Sequence, residues 1–119
     1  MKPHELGQWG EEQAENYIKE QGYLLLERNY SNHMGEIDLI ARDGEILVFI
    51  EVKTRSSSSF GSPLEAVGLS KQRQIYRLAQ AYLQSRRLPE TKCRFDVIGI
   101  ELQDGSGVEI IHIKGAFGG

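Results

Sequence analysis

The chain has 119 residues, of which 39% are hydrophobic and 26% are charged, and its formal net charge is −3. This length supports one domain with a core of its own and is too short for two, so residues 1–119 are predicted to form a single domain. No apolar run approaches the roughly 18 residues of a membrane span, no hydrophobic signal segment begins the chain, and a single cysteine excludes a disulfide framework. We therefore expect a cytoplasmic protein in which Cys93 is a small core residue.

The first half of the chain predicts one helix followed by three antiparallel strands. From about residue 5 to residue 21, apolar and small residues recur at helical spacing, and Gly22 is a typical helix terminator. Three segments rich in apolar and β-branched residues come after this helix. They cover residues 23–30, 35–42 and 45–53.

The dipeptide Asp43-Gly44 is a strong signal for a two-residue hairpin turn between the second and third strands. With that turn, Arg42 faces Glu45 and Glu36 faces Glu51. Because side chains alternate along each strand, four charged groups then share one face, while the other face is apolar and suits a core. Three acids and a lysine crowded together favour a divalent cation site, although a solvated strand face of Glu and Lys is the alternative. The four residues are Glu36, Asp38, Glu51 and Lys53.

The second half predicts a serine-rich loop, a long helix and two further strands. The loop at 55–63 has hydroxyls and a glycine that could approach a phosphate, and it fits a mobile surface loop equally well. A short helical turn at 63–67 precedes a helix over about 71–87, with Ser70 as its cap. Strands are predicted over 94–102 and 108–113, with a turn at 104–107 and a frayed tail from 114.

The resulting order, α-β-β-β-α-β-β, predicts an α/β fold in which a mixed β-sheet is flanked by helices. Charge is distributed unevenly over it, since residues 1–52 carry 4 basic and 11 acidic side chains and residues 53–94 carry 9 and 2. Basic residues at the start of the second long helix oppose the helix macrodipole, which favours a phosphate-contacting role over a structural one. A solvated basic helix face is the alternative. These residues are Lys71, Arg73 and Arg77.

Asp38 is followed after twelve residues by Glu51-Val52-Lys53. This motif, together with the predicted order of helices and strands, resembles the PD-(D/E)xK nuclease fold of restriction endonucleases and archaeal Holliday-junction resolvases. The proline that names the motif is replaced here by Ile37. More narrowly, the chain resembles the YraN family of small bacterial proteins, usually described as predicted endonucleases. The resemblance rests on Gly10-Glu11 with Ala14, Gly22-Tyr23, Arg28-Asn29-Tyr30, and residues 35–40, 48–53, 60–67 with Lys71, and 94–98.

The resemblance implies a single restriction-endonuclease-like domain that hydrolyses phosphodiester bonds in DNA, with branched or junction DNA as a candidate substrate. Its implied catalytic residues are Asp38, Glu51, Lys53 and a helix-one glutamate, Glu11. Helical phase supports Glu11, because it lies at the edge of the buried stripe whereas the next residue points away. The implied cofactor is Mg²⁺, with Mn²⁺ as the expected substitute, held by Asp38, Glu51 and the Val52 carbonyl, and Glu36 is expected behind these ligands.

DNA is the implied partner, bound through its backbone without sequence preference, and the resolvase resemblance also implies a two-fold homodimer. Arg55 joins the three basic helix residues as a predicted DNA contact. Two other classes of function remain open. One is a nucleic-acid-binding module of the same fold without catalysis, and the other is a protein-interaction domain whose charged faces meet charged partners.

Overall fold

The computed structural model describes residues 1–56, 61–88, 90–103 and 107–118. Over these residues it confirms the predicted order of elements, with a turn of 3-10 helix before the second long helix. The helices are α1 (Pro3–Glu20) and α2 (Leu69–Ser85), the 3-10 turn is Pro63–Ala66, and the strands are β1 (Leu24–Asn32), β2 (Gly35–Asp43), β3 (Ile46–Arg55), β4 (Cys93–Leu102) and β5 (Val108–Phe117).

The strands form one mixed sheet in the order β1-β2-β3-β4-β5. Adjacent strands pair antiparallel, except that β3 and β4 run parallel. The connection between β3 and β4 contains α2, which carries the chain back so that both strands run in the same direction. The predicted fold class is confirmed. This mixed α/β arrangement is compatible with a nuclease-like fold.

Each face of the sheet has its own apolar core. On one face, Ala14 and Ile18 of α1 pack against alternate residues of the central strands, among them Ile50. On the other, α2 covers a core in which Phe49 contacts the ring of Tyr82. Fully burying a side chain such as Ile18, Ile50 or Phe49 contributes about 1.5–3 kcal/mol to folding. Because both faces of β3 are buried over residues 47–52, Glu51 continues a core and does not belong to a solvated strand face.

The β2–β3 hairpin differs from its predicted register by two residues. The observed pairs include Asp43 with Ile46 and Arg42 with Leu47, so the two-residue turn is Gly44-Glu45. Gly44 has φ +61° at the first loop position, where a Gly-X hairpin turn requires glycine. A shift of two residues preserves the faces along a strand, since side chains alternate with period two.

Alternation does not hold across Asp38. Ile37 packs in the core under α2, whereas Leu39 packs in the core under α1. Alternation along β2 predicts that Ile37 and Leu39 lie together on the apolar face of the hairpin, and this was wrong for Ile37. Strands β2 and β3 part at this point, and residues 35–37 at the start of β2 pair with β1.

The ends of two elements also differ from prediction. Gly68, with extended backbone, precedes the first residue of α2, so Ser70 lies within the first turn and is not the cap. Strand β5 continues to Phe117, which pairs with Phe95 and stacks on its ring at 5.3 Å, so most of the predicted frayed tail is ordered. Cys93 begins β4 with an exposed thiol that donates to the Thr91 carbonyl, so its prediction as a core residue was wrong.

Residues 57–60 of the predicted serine-rich loop and residues 104–106 of the predicted turn lie outside the described residues. Within the part of the chain that the structure describes, neither long helix combines the length and apolar character needed to cross a membrane.

Candidate active site

Asp38 and Glu51 lie where strands β2 and β3 stop pairing. The last pair on the described strands is Leu39 with Ile50, and Asp38 and Glu51 are the next residues on each. Beyond that pair β2 continues along β1 and β3 continues along β4. The backbone N–H of Val52 donates to Asp38 Oδ2 at 2.8 Å, so a carboxylate stands where the neighbouring strand would have supplied an acceptor. The separation of the strands thus opens the sheet at the two acids.

Glu51 is a nearly buried carboxyl group held between two lysines. It is 5% exposed, and its Oε2 lies 3.7 Å from Lys53 Nζ and 3.9 Å from Lys71 Nζ. Burial, and then the charge of Asp38 and a hydrogen bond between the two carboxyl groups, raise the pKa of Glu51 to about 8, against the opposing effect of the lysines. The site therefore resists carrying both negative charges without a further cation.

Glu11 reaches this site because α1 approaches β3 closely. A Cβ on Gly10 would lie 1.8 Å from Thr54 Oγ1, so only glycine permits this crossing of helix and strand. The approach brings the next side chain, Glu11, toward Asp38. Burial, then the charges of Asp38 and Glu36, raise the pKa of Glu11 to about 7.

Asn29 connects the acids from β1. With its amide nitrogen turned toward the carboxylates, it donates to Glu11 at 2.9 Å and to Glu36 at 2.8 Å. Its φ of 53° is in the left-handed region, which asparagine tolerates better than most residues. Glu36 is exposed and is joined to the other acids through this amide, which places it beside the predicted ligands as an outer residue.

A cleft of about 400 Å³ brings these groups to one surface. One wall comes from the first turns of α1, and the other comes from the ends of β2 and β3. All four predicted catalytic residues line it. The lining residues are Pro3, Leu6, Gly7, Glu11, Asp38, Glu51, Val52, Lys53 and Thr54.

The donor set of the cleft fits a hard divalent cation. Asp38 and Glu51 supply carboxylate oxygens beside Val52. Burial and the neighbouring Asp38 raise the pKa of Glu51, so a cation would favour the form of the site in which both groups are ionised. In the described part of the chain, no three His, Cys, Asp or Glu side chains converge closely enough to hold a metal by themselves. The Val52 carbonyl and water would therefore complete the shell, as is common for Mg²⁺.

The four basic residues predicted to contact DNA occupy different places. Lys71 lies in the site beside Glu51, while Arg73 and Arg77 are exposed on the outer side of α2. The Arg55 guanidinium pairs with the buried carboxylate of Glu101 and also donates to the Gly61 carbonyl at 2.9 Å. Arg55 thus anchors β4 and the chain after β3, and its role as a DNA contact stays a prediction.

Sequence reasoning missed two residues of the site. Lys71 was grouped with the outer basic face, because nothing in its local spacing indicates that α2 begins next to Glu51. Asn29 was noted only as part of a motif. An asparagine inside a predicted strand is a signal for a left-handed backbone position, and this could have drawn attention to Asn29.

The structure defines a mixed α/β domain with two carboxyl groups and two lysines clustered where its central strands separate. The chain belongs to the family described as Uncharacterised protein family UPF0102, whose model matches residues 10–100, and this confirms the resemblance to the YraN family. It is 51% identical over 112 residues to a UPF0102 protein of Chlorobium phaeobacteroides, covering 94% of this chain and 89% of that protein. A UPF0102 protein of Syntrophotalea carbinolica is 49% identical over 112 residues, covering 94% and 90%.

Proposed function

We propose that the protein is a metal-dependent endonuclease that hydrolyses phosphodiester bonds in DNA. The observation that carries the proposal is the cluster of Asp38, Glu51 and Lys53 in an open cleft, with Glu51 buried and short of compensating charge. A fold needs no such cluster for its stability, and buried like charges are costly without a ligand. A divalent cation would compensate the two carboxylates, and a phosphate would meet the positive charge of the lysines.

Asp38, Glu51 and the Val52 carbonyl are the proposed ligands for Mg²⁺ or Mn²⁺, which would supply Lewis-acid polarisation of the scissile phosphate. The protein's own contribution is positional. The Val52 N–H fixes one oxygen of Asp38, and the packing of β3 between two cores fixes Glu51. Side chains held this way need no reorganisation when substrate arrives.

Lys53 and Lys71 bring positive charge to the same carboxylate from β3 and from α2. In the reaction they would stabilise the negative charge that develops on the phosphate oxygens, and Lys53 would also orient the attacking water. Glu11, held by Asn29 on the opposite wall, would hold a water at the edge of the cleft. The sequence motif assigns only Lys53 to the reaction, and this proposal adds Lys71.

The DNA partner, its recognition without sequence preference and a two-fold dimer remain parts of this proposal. A module that binds nucleic acid without catalysis would use the same surface but would have no need of the acids. Sedimentation equilibrium on the full chain, alone and with DNA, tests the dimer.

A cleavage panel tests the activity. Labelled branched, nicked, flap, duplex and single-stranded DNA would be incubated with the protein and Mg²⁺, Mn²⁺ or EDTA. We expect metal-dependent cutting of at least one substrate, lost in Asp38→Asn and retained in Glu45→Gln. Glu45 is an exposed acid on the same hairpin at its turn, so it controls for a change of net charge.

Calorimetric titration with Mn²⁺ gives an independent reading of the metal site. Asp38→Asn and Glu51→Gln should each weaken binding, because each deletes a charged oxygen ligand. Unchanged Mn²⁺ affinity in both variants would remove the metal site from the proposal, whatever the cleavage panel shows.

A further inference from the structure

The outer side of α2 presents an exposed aromatic ring among cations. Tyr76 is 46% exposed, although a tyrosine on an amphipathic helix usually turns inward. Arg73 lies three and four residues before Tyr76 and Arg77, and Gln80 lies four and three residues after them, so the four share one stripe of the helix. The opposite side of α2 packs against the core, and Ile75 is one of its buried residues.

Tyr76 has a rigid support on its inner face. Its ring lies 5.9 Å from the ring of Phe95 at an interplanar angle of 34°. Phe95 in turn stacks with Phe49 at 5.5 Å and with Phe117 at 5.3 Å. Tyr76 is therefore the exposed member of a cluster of aromatic rings, tilted against Phe95, and its outer face is open to a further flat ring.

Three adjoining clefts run along this side of the molecule, of about 570, 590 and 580 Å³. The first and third share Tyr76, and the first and second share Arg77. Their charged lining residues are Lys71, Arg73 and Arg77, and no acid of the described chain lines any of them. In a protein whose net charge is −3, clefts whose charged lining is entirely basic, beside aromatic and uncharged polar side chains, are complementary to a polyanion with flat apolar rings.

The second of these clefts adjoins the candidate active site through one lysine. Lys71, which lines the second cleft, also lies 3.9 Å from Glu51. A strand lying along α2 from Tyr76 would therefore enter the site at Lys71. The bases of a duplex are stacked on one another and cannot stack on a protein ring, so the ring selects for an unpaired nucleotide.

We propose that the outer face of α2 binds a single-stranded stretch of the DNA substrate, with one base stacked on Tyr76 and the neighbouring phosphates on Arg73 and Arg77. This inference rests on the proposed nuclease function and narrows its substrate class to DNA with unpaired nucleotides beside the cleavage point. It predicts that a fully paired duplex is a poor ligand for this face.

Fluorescence anisotropy on the full chain in EDTA tests the proposal without any requirement for metal or cleavage. The probes are a labelled 12-nucleotide oligothymidine and a blunt duplex of the same length. Tyr76→Ala should weaken binding of the single strand about ten-fold, equivalent to about 1.4 kcal/mol, and change duplex binding by less than about two-fold. Tyr76→Phe should retain the affinity, because it keeps the ring and removes only the hydroxyl.

Changing both arginines to alanine should reduce the slope of log affinity against log salt by about 1.4 for the single strand, as expected for two phosphate contacts. Val108→Ala is the matched control, because it truncates another exposed apolar side chain at the Leu102 end of the β4–β5 pair, away from Phe95. Thermal melting checks that each variant is folded.

Unchanged single-strand affinity in Tyr76→Ala, or equal losses for single strand and duplex, would overturn the stacking proposal. That result is distinguishable from failure of the proposed function. A protein that binds the single strand through Tyr76 but cuts nothing with Mg²⁺ or Mn²⁺ retains this surface and loses the nuclease assignment. If Tyr76→Ala leaves both metal-dependent cutting and single-strand affinity unchanged, the nuclease assignment is retained and the single-strand surface is lost.

Discussion

Two buried acids on adjacent strands of this sheet have opposite surroundings. Asp96 on β4 is fully buried and accepts hydrogen bonds from Arg94 at 2.9 Å, from His112 at 2.7 Å and from the Gly115 N–H at 3.1 Å. Burial alone would raise the pKa of Asp96, but the bonds from His112, Arg94 and Gly115 outweigh it and lower the pKa below its ordinary value. Glu51 on β3 has two lysines at the limit of ion-pair distance and a carboxyl group as its neighbour, and its pKa is raised.

The difference distinguishes an acid that holds strands together, Asp96, from an acid whose surroundings suit the binding of a ligand, Glu51. The Asp96 network is saturated, and Arg94 extends it to Asp43 and to the Tyr23 hydroxyl, so it ties β2 and the start of β1 to β4. A saturated network has no capacity left for a ligand. At the Glu51 cluster, burial and the neighbouring Asp38 raise the pKa of Glu51, and the cluster lines a cleft, a combination more typical of functional sites than of structural ones.

The largest expected effect is on catalysis. Asp38→Asn, Glu51→Gln and Lys53→Ala should each lower the single-turnover cleavage rate by at least about a hundred-fold, because each removes a preorganised charge at the phosphate. Asp38→Asn and Lys53→Ala should each keep an unfolding free energy within about 1 kcal/mol of the parent at pH 7. Glu51→Gln should be no less stable than the parent at that pH, because it removes a carboxyl group whose ionisation the fold opposes. A variant that loses activity in proportion to its loss of folded protein would contradict the separation of the two regions.

The converse change is Asp96→Ala. Removing this carboxylate leaves the His112 and Arg94 donors without their buried acceptor, and we expect about 3 kcal/mol of destabilisation in guanidinium melts. Cleavage per folded molecule should change little, since Asp96 does not line the cleft. Glu109→Ala, at an exposed acid on β5, is the control and should cost less than about 0.5 kcal/mol.

The two acids should also give stability opposite dependence on pH. Because the pKa of Glu51 is raised from 4.5 to about 8, the folded protein keeps a proton that the unfolded chain releases, and stability falls as the pH rises through that window. The lowered pKa of Asp96 acts the other way, so its contribution is lost as the pH falls below 3.8, the ordinary value.

Denaturant melts in EDTA between about pH 3 and pH 9 would resolve the two limbs. Glu51→Gln should flatten the decline from about pH 5 to pH 8, and Asp96→Asn should flatten only the acid limb. Added Mn²⁺ should restore stability at the alkaline end in the parent and not in Glu51→Gln. A decline that persists unchanged in Glu51→Gln would show that another group is responsible.

The smallest and sharpest test uses adjacent residues of α1. Glu11 lines the cleft and Glu12 is exposed to solvent. Glu11→Gln should lower cleavage about ten-fold, equivalent to about 1.4 kcal/mol of transition-state stabilisation. Glu12→Gln should alter neither cleavage nor stability by more than about 0.5 kcal/mol. Equal effects at both positions would exclude α1 from the site.

Local periodicity in the sequence determined the order of elements, the hairpin and the gathering of Asp38, Glu51 and Lys53 at one end of it. These predictions depend on alternation with period two and on helical spacing, which the residues carry wherever the chain folds. They survived a hairpin register that was wrong by two residues, because such a shift preserves the faces. The phase of α1 likewise separated Glu11 from Glu12 correctly.

Only the tertiary structure decided which distant residues meet. Lys71 reaches Glu51 because α2 begins beside β3, and Arg55 pairs with Glu101 because the parallel β3–β4 register sets them opposite each other. The burial of Asp96 and the exposure of Cys93, one at each end of a four-residue stretch, depend on what packs over β4. These contacts join residues far apart in the chain, and their energies depend on burial and on neighbouring charges, which no local pattern encodes.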